Sequence, residues 1–271
     1  MQLGVNSVLF GGHDLRIAFE YIRWSGYDAV EISALSGFGA FGDPLGEHLH
    51  LSDWRSDVSS IRKLRDEFGM PISAMEVGPL DEERVRLAFE AGAELGIPII
   101  NIGPSGKSGV PGDLESCIDR MAALAGEAER FGVCLCVKAH IGTSMHDTAT
   151  TLEVTRAIES PSFGIDMDPS HIYRGGEDPK EALKQVMPRV RHVHIRDSGP
   201  GPGPGKAEEQ ACGRGEIDLF GYCKVLVDAR YAGPVNLEVI GASQYEPARS
   251  AAIAAESRGY LRAILKSVRG G

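Results

Sequence analysis

The sequence predicts a (β/α)8 barrel, because short apolar runs alternate with longer amphipathic segments along all 271 residues. Eight such strand and helix pairs fit in about 250 residues, the usual size of this barrel, whereas a doubly wound sheet usually has about five or six strands. No change in composition marks a domain boundary. We therefore expect one domain over residues 1–271.

The predicted strands are the short apolar runs that turn-forming or polar residues bound. They cover residues 3–9, 29–33, 71–77, 97–102, 133–137, 163–168, 190–195 and 234–239. The predicted helices lie at 14–24, 53–68, 81–95, 113–131, 148–158, 178–187, 218–229 and 245–268. Several begin at an Asp or Thr, which can accept hydrogen bonds from free N–H groups at a helix start. A glycine follows the second, third and fourth helices, as is typical of helix ends.

Two glycine-rich segments interrupt this alternation. The first, G-F-G-A-F-G at residues 37–42, has the spacing of a dinucleotide-binding loop, but Asp43 and Pro44 follow it where a helix would be needed. We therefore expect no dinucleotide site there. The second segment, at about 198–214, follows the seventh strand and is either a surface loop or a mobile lid over the site.

Composition excludes several classes of function. The chain has 38 acidic residues against 28 Lys plus Arg, a net charge of −10, and this excess would repel a nucleic acid backbone. No apolar run is long enough to cross a membrane. Five cysteines in a chain of this size favour reduced thiols and a cytoplasmic protein. We expect a small-molecule substrate, and no nucleic acid or membrane partner.

Successive side chains of a strand point to opposite faces, so each apolar run separates into a helix-facing set and an interior set. In the fifth strand Val133, Leu135 and Val137 form the apolar set, which leaves Lys138 and His140 inside. The interior residues expected near the strand ends are Asn6, Glu31, Glu76, Asn101, Lys138, His140, Asp166, Asp168, His192, His194, Asn236 and Glu238. Barrel enzymes carry their active sites at the carboxyl ends of the strands. We therefore expect the active site at this end.

Burying these charges costs several kcal/mol each unless they meet a partner. One solution is a divalent metal ion, such as Mn²⁺, Mg²⁺, Zn²⁺ or Co²⁺, on Asp168, His194 and Glu238, which come from three successive strands. The other is a set of internal ion pairs, for instance Lys138 with Glu76 or Glu238. The residues alone leave both solutions open.

Four segments have recognisable motifs. They are GIDMDPSHIYRGGEDP (164–179), RVRHVHIRD (189–197), GRGEIDLFGYCKVL (213–226) and YAGPVNLEVIG (231–241). In their order and spacing the chain resembles the xylose isomerase-like TIM barrels. This superfamily includes sugar and sugar-phosphate isomerases and epimerases, and it is related to AP endonucleases of the endonuclease IV type. The resemblance implies metal ligands at Asp168, His194 and Glu238, and a contact between His171 and a substrate hydroxyl.

The fifth strand departs from the family pattern, because Lys138 stands where the first metal-binding Glu is expected. An ammonium group there would weaken the binding of the ion, which could then be absent, unless burial keeps the lysine neutral. We consider three roles for Lys138: a general acid with a lowered pKa, a replacement for part of the metal's charge, or a Schiff base with a keto substrate.

The resulting functional hypothesis is a sugar isomerase or epimerase that transfers a proton beside the carbonyl of a small polyhydroxy substrate, assisted by a divalent metal ion on Asp168, His194 and Glu238. Its expected catalytic residues are Glu238, Lys138 and His171. A lyase or decarboxylase acting on a keto acid or oxidised sugar through Lys138 is the alternative. An abasic-site endonuclease is disfavoured, because the strand-five Glu of its zinc cluster is missing. A binding protein without catalysis would follow if Lys138 had abolished the chemistry.

Other residues are expected to bind the substrate. Glu76, Asn101 and His140 are placed to orient hydroxyl groups. Arg196 and Arg214 are candidates for binding a phosphate or carboxylate, with surface salt bridges as the alternative. Many proteins of this type associate, so a homo-oligomer is also expected.

Overall fold

The computed structural model describes residues 1–37, 42 and 45–270, which form a closed barrel of eight parallel strands. Each strand pairs with its neighbours in sequence, and the last pairs with the first. The strands are β1 (Gln2–Asn6), β2 (Ala29–Ser33), β3 (Ile72–Pro79), β4 (Ile99–Gly103), β5 (Cys134–Lys138), β6 (Phe163–Asp166), β7 (Val190–Ile195) and β8 (Pro234–Leu237). The predicted fold class is confirmed.

The helices of the described residues surround the barrel. They are α1 (Leu15–Trp24), α2 (Trp54–Phe68), α3 (Glu82–Leu95), α4 (Asp113–Phe131), α5 (Thr148–Ala157), α6 (Pro169–Arg174), α7 (Pro179–Val186), α8 (Leu219–Asp228) and α9 (Pro247–Gly270). Each long helix buries one apolar stripe: in α4 the buried residues are Cys117, Met121, Leu124, Ala125 and Ala128, at the three-to-four-residue spacing of one helix face. Among the described residues, no helix is both long and apolar enough to cross a membrane.

Three local features differ from the predicted elements. The first strand ends at Asn6, because its side-chain oxygen accepts a hydrogen bond from Val8 N and starts a 3-10 turn. An additional short helix, α6, follows β6, with Asp168 as its N-cap and Pro169 in its first turn. The connection after β7 contains a 3-10 turn at Ala207–Gln210. Most of the glycine-rich segment at 37–42 lies outside the described residues.

The barrel interior is polar well below its open end. Asn236 on β8 donates a hydrogen bond to His192 Nε2 (2.8 Å), and His192 Nδ1 donates to Asp166 Oδ1 (2.8 Å). Gly4 on β1 makes room for this network, because a Cβ atom there would collide with the side-chain oxygen of Asn236. The floor of the active end is therefore fixed by hydrogen bonds between strands.

The connection after β2 is tied to the barrel by His48. Its ring accepts a hydrogen bond from Ser7 Oγ through Nδ1 (2.9 Å) and donates from Nε2 to the carbonyl oxygen of His13 (2.9 Å). Its backbone N–H donates to Ser33 O (2.8 Å). Burial lowers the pKa of His48, so the neutral ring is the form that the fold stabilises.

We predict that His48→Gln weakens the pH dependence of stability. Because the pKa of His48 is lowered in the folded state, the unfolded chain binds the proton more readily. The stabilisation that neutral His48 gives to the folded state is therefore complete above about pH 6.5, the pKa of a histidine in the unfolded chain. It is lost as the pH falls towards the pKa of His48 in the folded state. The variant should lose about 1 kcal/mol at pH 8 and fall less steeply than the wild type between pH 7.5 and 5.5 in urea unfolding. Exposed His50, changed to Gln, is the control, and equal slopes for wild type and His48→Gln would contradict the account.

Candidate active site

A cavity of about 430 Å³ opens at the carboxyl ends of the strands, where the alternation of side chains predicted the site. Its polar lining comprises Glu76, Lys138, His140, Thr143, His171, Arg174, Arg196 and Glu238. Its other walls comprise Leu35, Leu45, Gly78, Pro79, Gly103, Pro104, Pro204 and Ile240. Pro204 comes from the glycine- and proline-rich loop, which therefore forms part of the wall. A mostly apolar cavity with converging polar groups is the usual form of a small-molecule site.

Lys138, the last residue of β5, lies at the centre of the polar floor and its side chain is only 7% exposed. Its Nζ lies 3.0 Å from Glu76 Oε1, 2.9 Å from Glu238 Oε1 and 3.1 Å from His194 Nδ1. Burial favours the neutral amine, but the surrounding carboxylates, those of Glu238 and Glu76 above all, outweigh it and raise the pKa of Lys138. Of the three roles considered for Lys138, the general acid with a lowered pKa does not agree with this direction, and a Schiff base, which needs a neutral amine, is disfavoured.

The two carboxylates beside Lys138 are not equivalent. Glu76 accepts a second hydrogen bond from Asn6 Nδ2 (2.6 Å), yet burial and the neighbouring Glu238 raise the pKa of Glu76 to about 7. The pKa of Glu238 is lowered well below its usual value: burial opposes this, but the charges of Lys138 and Arg196 outweigh burial. Glu238 therefore stays ionised, while Glu76 is suited to take up and release a proton near neutral pH.

His194 lies directly below Lys138, between two carboxylates. Its Nε2 is 2.7 Å from Glu31 Oε2, and its Nδ1 is 2.7 Å from Asp166 Oδ2. Burial alone would lower the pKa of His194, but Asp166 and Glu31 raise it well above its usual value. Asn101 donates to Glu31 (2.6 Å) in this same layer, so Asn101 supports the floor and does not line the cavity.

Arg196 follows β7 and is buried beside the floor. Its Nη2 lies 3.1 Å from Asp168 Oδ2 and 3.4 Å from Glu238 Oε2, and its Nε donates to Ser170 Oγ (2.8 Å). The other oxygen of Asp168 accepts the backbone N–H of Ser170 (2.8 Å) as the cap of α6. Arg196 is therefore not in a surface salt bridge: it is a second buried cation in the site.

Two imidazoles and another arginine line one side of the cavity. The rings of His140 and His171 lie with centroids 4.0 Å apart, and burial lowers the pKa of both, so they are neutral. Arg174 approaches His171 Nδ1 with Nη2 (3.0 Å) and donates from Nη1 to Pro202 O (3.3 Å). Within the described part of the chain, Arg174 forms no ion pair with a carboxylate. The sequence analysis missed this residue, although its position three residues after His171 on α6 places both on one face of the helix.

The structure brings most of the predicted site residues together. Those at the cavity are Glu76, Lys138, His140, His171, Arg196 and Glu238, with His194, Asp168 and Asn101 packed behind them. Two residues expected to bind the substrate are not at the cavity, and both expectations are corrected: Asn101 lies below it, bound to Glu31, and Arg214 is in the surface salt bridge that was its alternative. Its guanidinium makes two hydrogen bonds to Glu256 (2.7 and 2.8 Å), and its side chain is half exposed on the surface.

Two groups of three side chains could each hold a metal ion, because each group offers three ligating atoms within 4.8 Å of one another. They are Glu31, His192 and His194, and Glu76, His194 and Glu238. These groups suggest a divalent metal site, without determining the ion. Asp168 belongs to neither group, so its predicted role as a ligand stays a prediction. In the second group all three candidate ligands already contact Lys138.

Comparison with known proteins identifies relatives of the chain. The family model described as "Xylose isomerase-like TIM barrel" matches residues 19–264. An inosose dehydratase of Bacillus thuringiensis (strain Al Hakam) is 30% identical over 70 residues, which are 26% of this chain and 24% of the relative. This chain thus matches about a quarter of that relative's length.

Solved structures resemble the whole barrel at low identity. A D-tagatose 3-epimerase-like protein has a TM-score of 0.78 and 20% identity, and the match covers 100% of this chain and 99% of the other. The IOLI protein, whose structure contains a zinc atom, has a TM-score of 0.73 and 19% identity, covering 95% of this chain and 96% of the other. At these identities the likeness shows the fold.

We predict that Lys138→Met destabilises the protein by about 3–5 kcal/mol at pH 8, because it leaves two buried carboxylates without their shared cation. Urea unfolding would measure the change. The control is Lys184→Met on the solvent-facing side of α7, where Lys184 pairs with exposed Glu181 and the effect should stay within about 0.5 kcal/mol. A similarly small loss for both variants would show that the buried ion pairs do not contribute as described.

Proposed function

Because the chain belongs to the xylose isomerase-like TIM barrel family, we propose that it is a lyase that removes water from a small polyhydroxy carbonyl compound. In this reaction the proton beside the carbonyl is removed, and a hydroxyl group then leaves the next carbon. The observation that carries the proposal is the Lys138 ammonium shared by Glu76 and Glu238 in the cavity floor.

Glu76 is the proposed base for the first step. It lines the cavity, and the raised pKa of its carboxyl supports proton uptake near neutral pH. The electrons of the broken C–H bond move towards the carbonyl oxygen, which becomes an enolate. The Lys138 ammonium, within the same cavity, stabilises this developing negative charge.

In the second step the enolate electrons return to form a C=C bond conjugated with the carbonyl, and the C–O bond of the neighbouring hydroxyl breaks. Protonated Glu76 gives its proton to the departing oxygen, so water leaves and Glu76 is regenerated. His171 and His140, both neutral, are placed to hydrogen-bond hydroxyl groups of the substrate.

Elimination fits this unsymmetrical site better than epimerisation. An epimerase needs one group to remove a proton from one face and a second group to return it to the opposite face. Here the low pKa of Glu238 makes it a weak base. The matched relative named inosose dehydratase agrees with elimination.

An isomerase or epimerase remains the second candidate. One observation favours it: Glu238 Oε2 accepts no hydrogen bond within the described residues, although Arg196 lies 3.4 Å away. That oxygen could exchange a proton with the substrate.

We also propose that the substrate is an anion. Two of the cations at the cavity are paired with carboxylates: Lys138 with Glu76 and Glu238, and Arg196 with Asp168 and Glu238. Arg174 forms no ion pair with another described residue, and its contacts to Ser170 O, Pro202 O and His171 use three of its five N–H donors. The remaining donors are available to a carboxylate or phosphate group of the substrate, which favours an oxidised sugar or a keto acid over a neutral sugar.

We predict that Glu76→Gln abolishes exchange of the proton beside the carbonyl. The measurement is NMR in D₂O with a panel of keto acids, keto-cyclitols and ketohexoses. The wild type should incorporate deuterium and release an unsaturated product, whereas the variant should lose at least about 100-fold in rate. Exposed Glu83→Gln on α3 is the matched control and should keep full activity.

The product distinguishes the two candidate reactions. A substrate that gains deuterium and returns with inverted configuration, without loss of water, would replace the lyase by an epimerase. Full exchange in Glu76→Gln would contradict the assignment of the base.

Arg174→Met should raise KM for a carboxylated or phosphorylated substrate about 10- to 100-fold with little change in kcat, because it removes a contact made equally in ground and transition states. Steady-state kinetics would measure both constants. Arg156→Met, on the exposed face of α5, is the control. A neutral substrate whose KM is equally affected would argue against an anion site.

A further inference from the structure

We infer that Lys138 and Arg196 together take the place of the divalent ion, so that the buried carboxylates of the site are neutralised without a metal. The ligand groups suggest a metal site by residue type, but their contacts show that a side-chain cation already occupies it. The inference concerns the cation of the site and holds whichever of the candidate reactions the enzyme catalyses.

The Lys138 ammonium lies between the three candidate ligands. It contacts one atom of each member of the group Glu76, His194 and Glu238, at 2.9–3.1 Å. These are ordinary distances for a charge-assisted hydrogen bond, whereas an ion such as Zn²⁺ binds the same atom types at about 2.0–2.2 Å. Since the three ligand atoms lie within 4.8 Å of one another, the ammonium and an ion cannot both lie between them.

His194 has no free lone pair for an ion. Its Nε2 faces Glu31 Oε2 at 2.7 Å, which requires a proton on that nitrogen. Its Nδ1 is therefore the nitrogen with the lone pair, and this lone pair accepts a hydrogen bond from the Lys138 ammonium at 3.1 Å. An ion that binds His194 would have to displace Lys138 from this contact.

The other ligand group is closed for a similar reason. His192 donates from Nδ1 to Asp166, so its Nε2 accepts the hydrogen bond from Asn236. Both its ring nitrogens therefore have partners, and the side chains of His192 and Glu31 are fully buried below the cavity.

The charges of the site also agree with two side-chain cations in place of an ion. Arg196 lies between Asp168 Oδ2 and Glu238 Oε2, the carboxylates that the family resemblance assigns to the metal. Lys138 and Arg196 carry one positive charge each, which together equal the charge of a divalent ion. Two side chains thus neutralise the carboxylates that the ion would otherwise neutralise.

The Lys138 ammonium also supplies the positive charge that can polarise a carbonyl group of the substrate. Lys138 has three N–H donors, of which Glu76 and Glu238 accept two. The third donor faces His194 Nδ1 (3.1 Å), and a carbonyl oxygen of the substrate that replaces this contact binds the ammonium directly. The ammonium then does what the open coordination position of an ion would do.

The test is metal binding by the purified chain, which requires no substrate. Wild-type protein is incubated with Zn²⁺, Mn²⁺ or Co²⁺, passed through a desalting column and analysed by mass spectrometry of the metal content, and thermal unfolding is recorded with each ion and with EDTA. We expect no retained ion that depends on His194 and no shift in Tm. An ion retained by the wild type and lost in His194→Gln would overturn the inference.

Lys138→Glu tests whether Lys138 is what excludes the ion. The variant removes the ammonium and adds a carboxylate, so affinity for Zn²⁺ should rise by about 100-fold or more, with a higher Tm in the presence of the ion. Lys184→Glu on the surface should bind as little as the wild type. A folded Lys138→Glu variant with wild-type affinity would contradict the inference.

Lys138→Gln covers the case in which the added carboxylate prevents folding. It removes the charge without adding another, and circular dichroism establishes whether it is folded. Zn²⁺ should then bind and raise its Tm. A folded Lys138→Gln variant that does not bind Zn²⁺ and whose Tm is unchanged by it would show that something other than Lys138 excludes the metal.

Discussion

The structure of the active end depends on one interaction, the hydrogen-bonded ion pairing of the Lys138 ammonium with Glu76 and Glu238. A buried lysine is stable only if its charge is compensated, and a buried carboxylate has the same requirement. The buried ammonium and the buried carboxylates therefore compensate one another's charge. The arrangement sets the raised pKa of Lys138, the low pKa of Glu238 and the intermediate pKa of Glu76, which define what chemistry the cavity can perform.

The barrel fixes the geometry of this pairing, because Glu76 lies on β3, Lys138 ends β5 and Glu238 directly follows β8. A pair on one flexible loop would lose its geometry, whereas parallel strands hold their ends in register. The layer beneath, built from His194, Glu31 and Asp166, is itself hydrogen-bonded and fully buried. The catalytic floor therefore rests on a rigid polar core.

The sequence predicted the barrel and much of the site, because the two-residue repeat of a strand determines which side chains point inward. It left open whether Lys138 would form an ion pair with Glu76 or Glu238 or whether a metal ion would compensate these carboxylates. It did not indicate that both would bind the same ammonium, since that depends on how β3 and β8 lie relative to β5. Arg174 was missed because α6 is too short to show a periodic pattern. Arg214 was misplaced because its partner, Glu256, lies 42 residues away on α9.

Anomalous X-ray scattering from crystals soaked in Mn²⁺ or Zn²⁺ measures the central claim most directly, since it locates any ion relative to Lys138. The account predicts density for the ammonium between Glu76 and Glu238, with no anomalous peak between these carboxylates and His194. A peak about 2.0–2.2 Å from His194 Nδ1 and a carboxylate oxygen of Glu238, with Lys138 displaced, would contradict it.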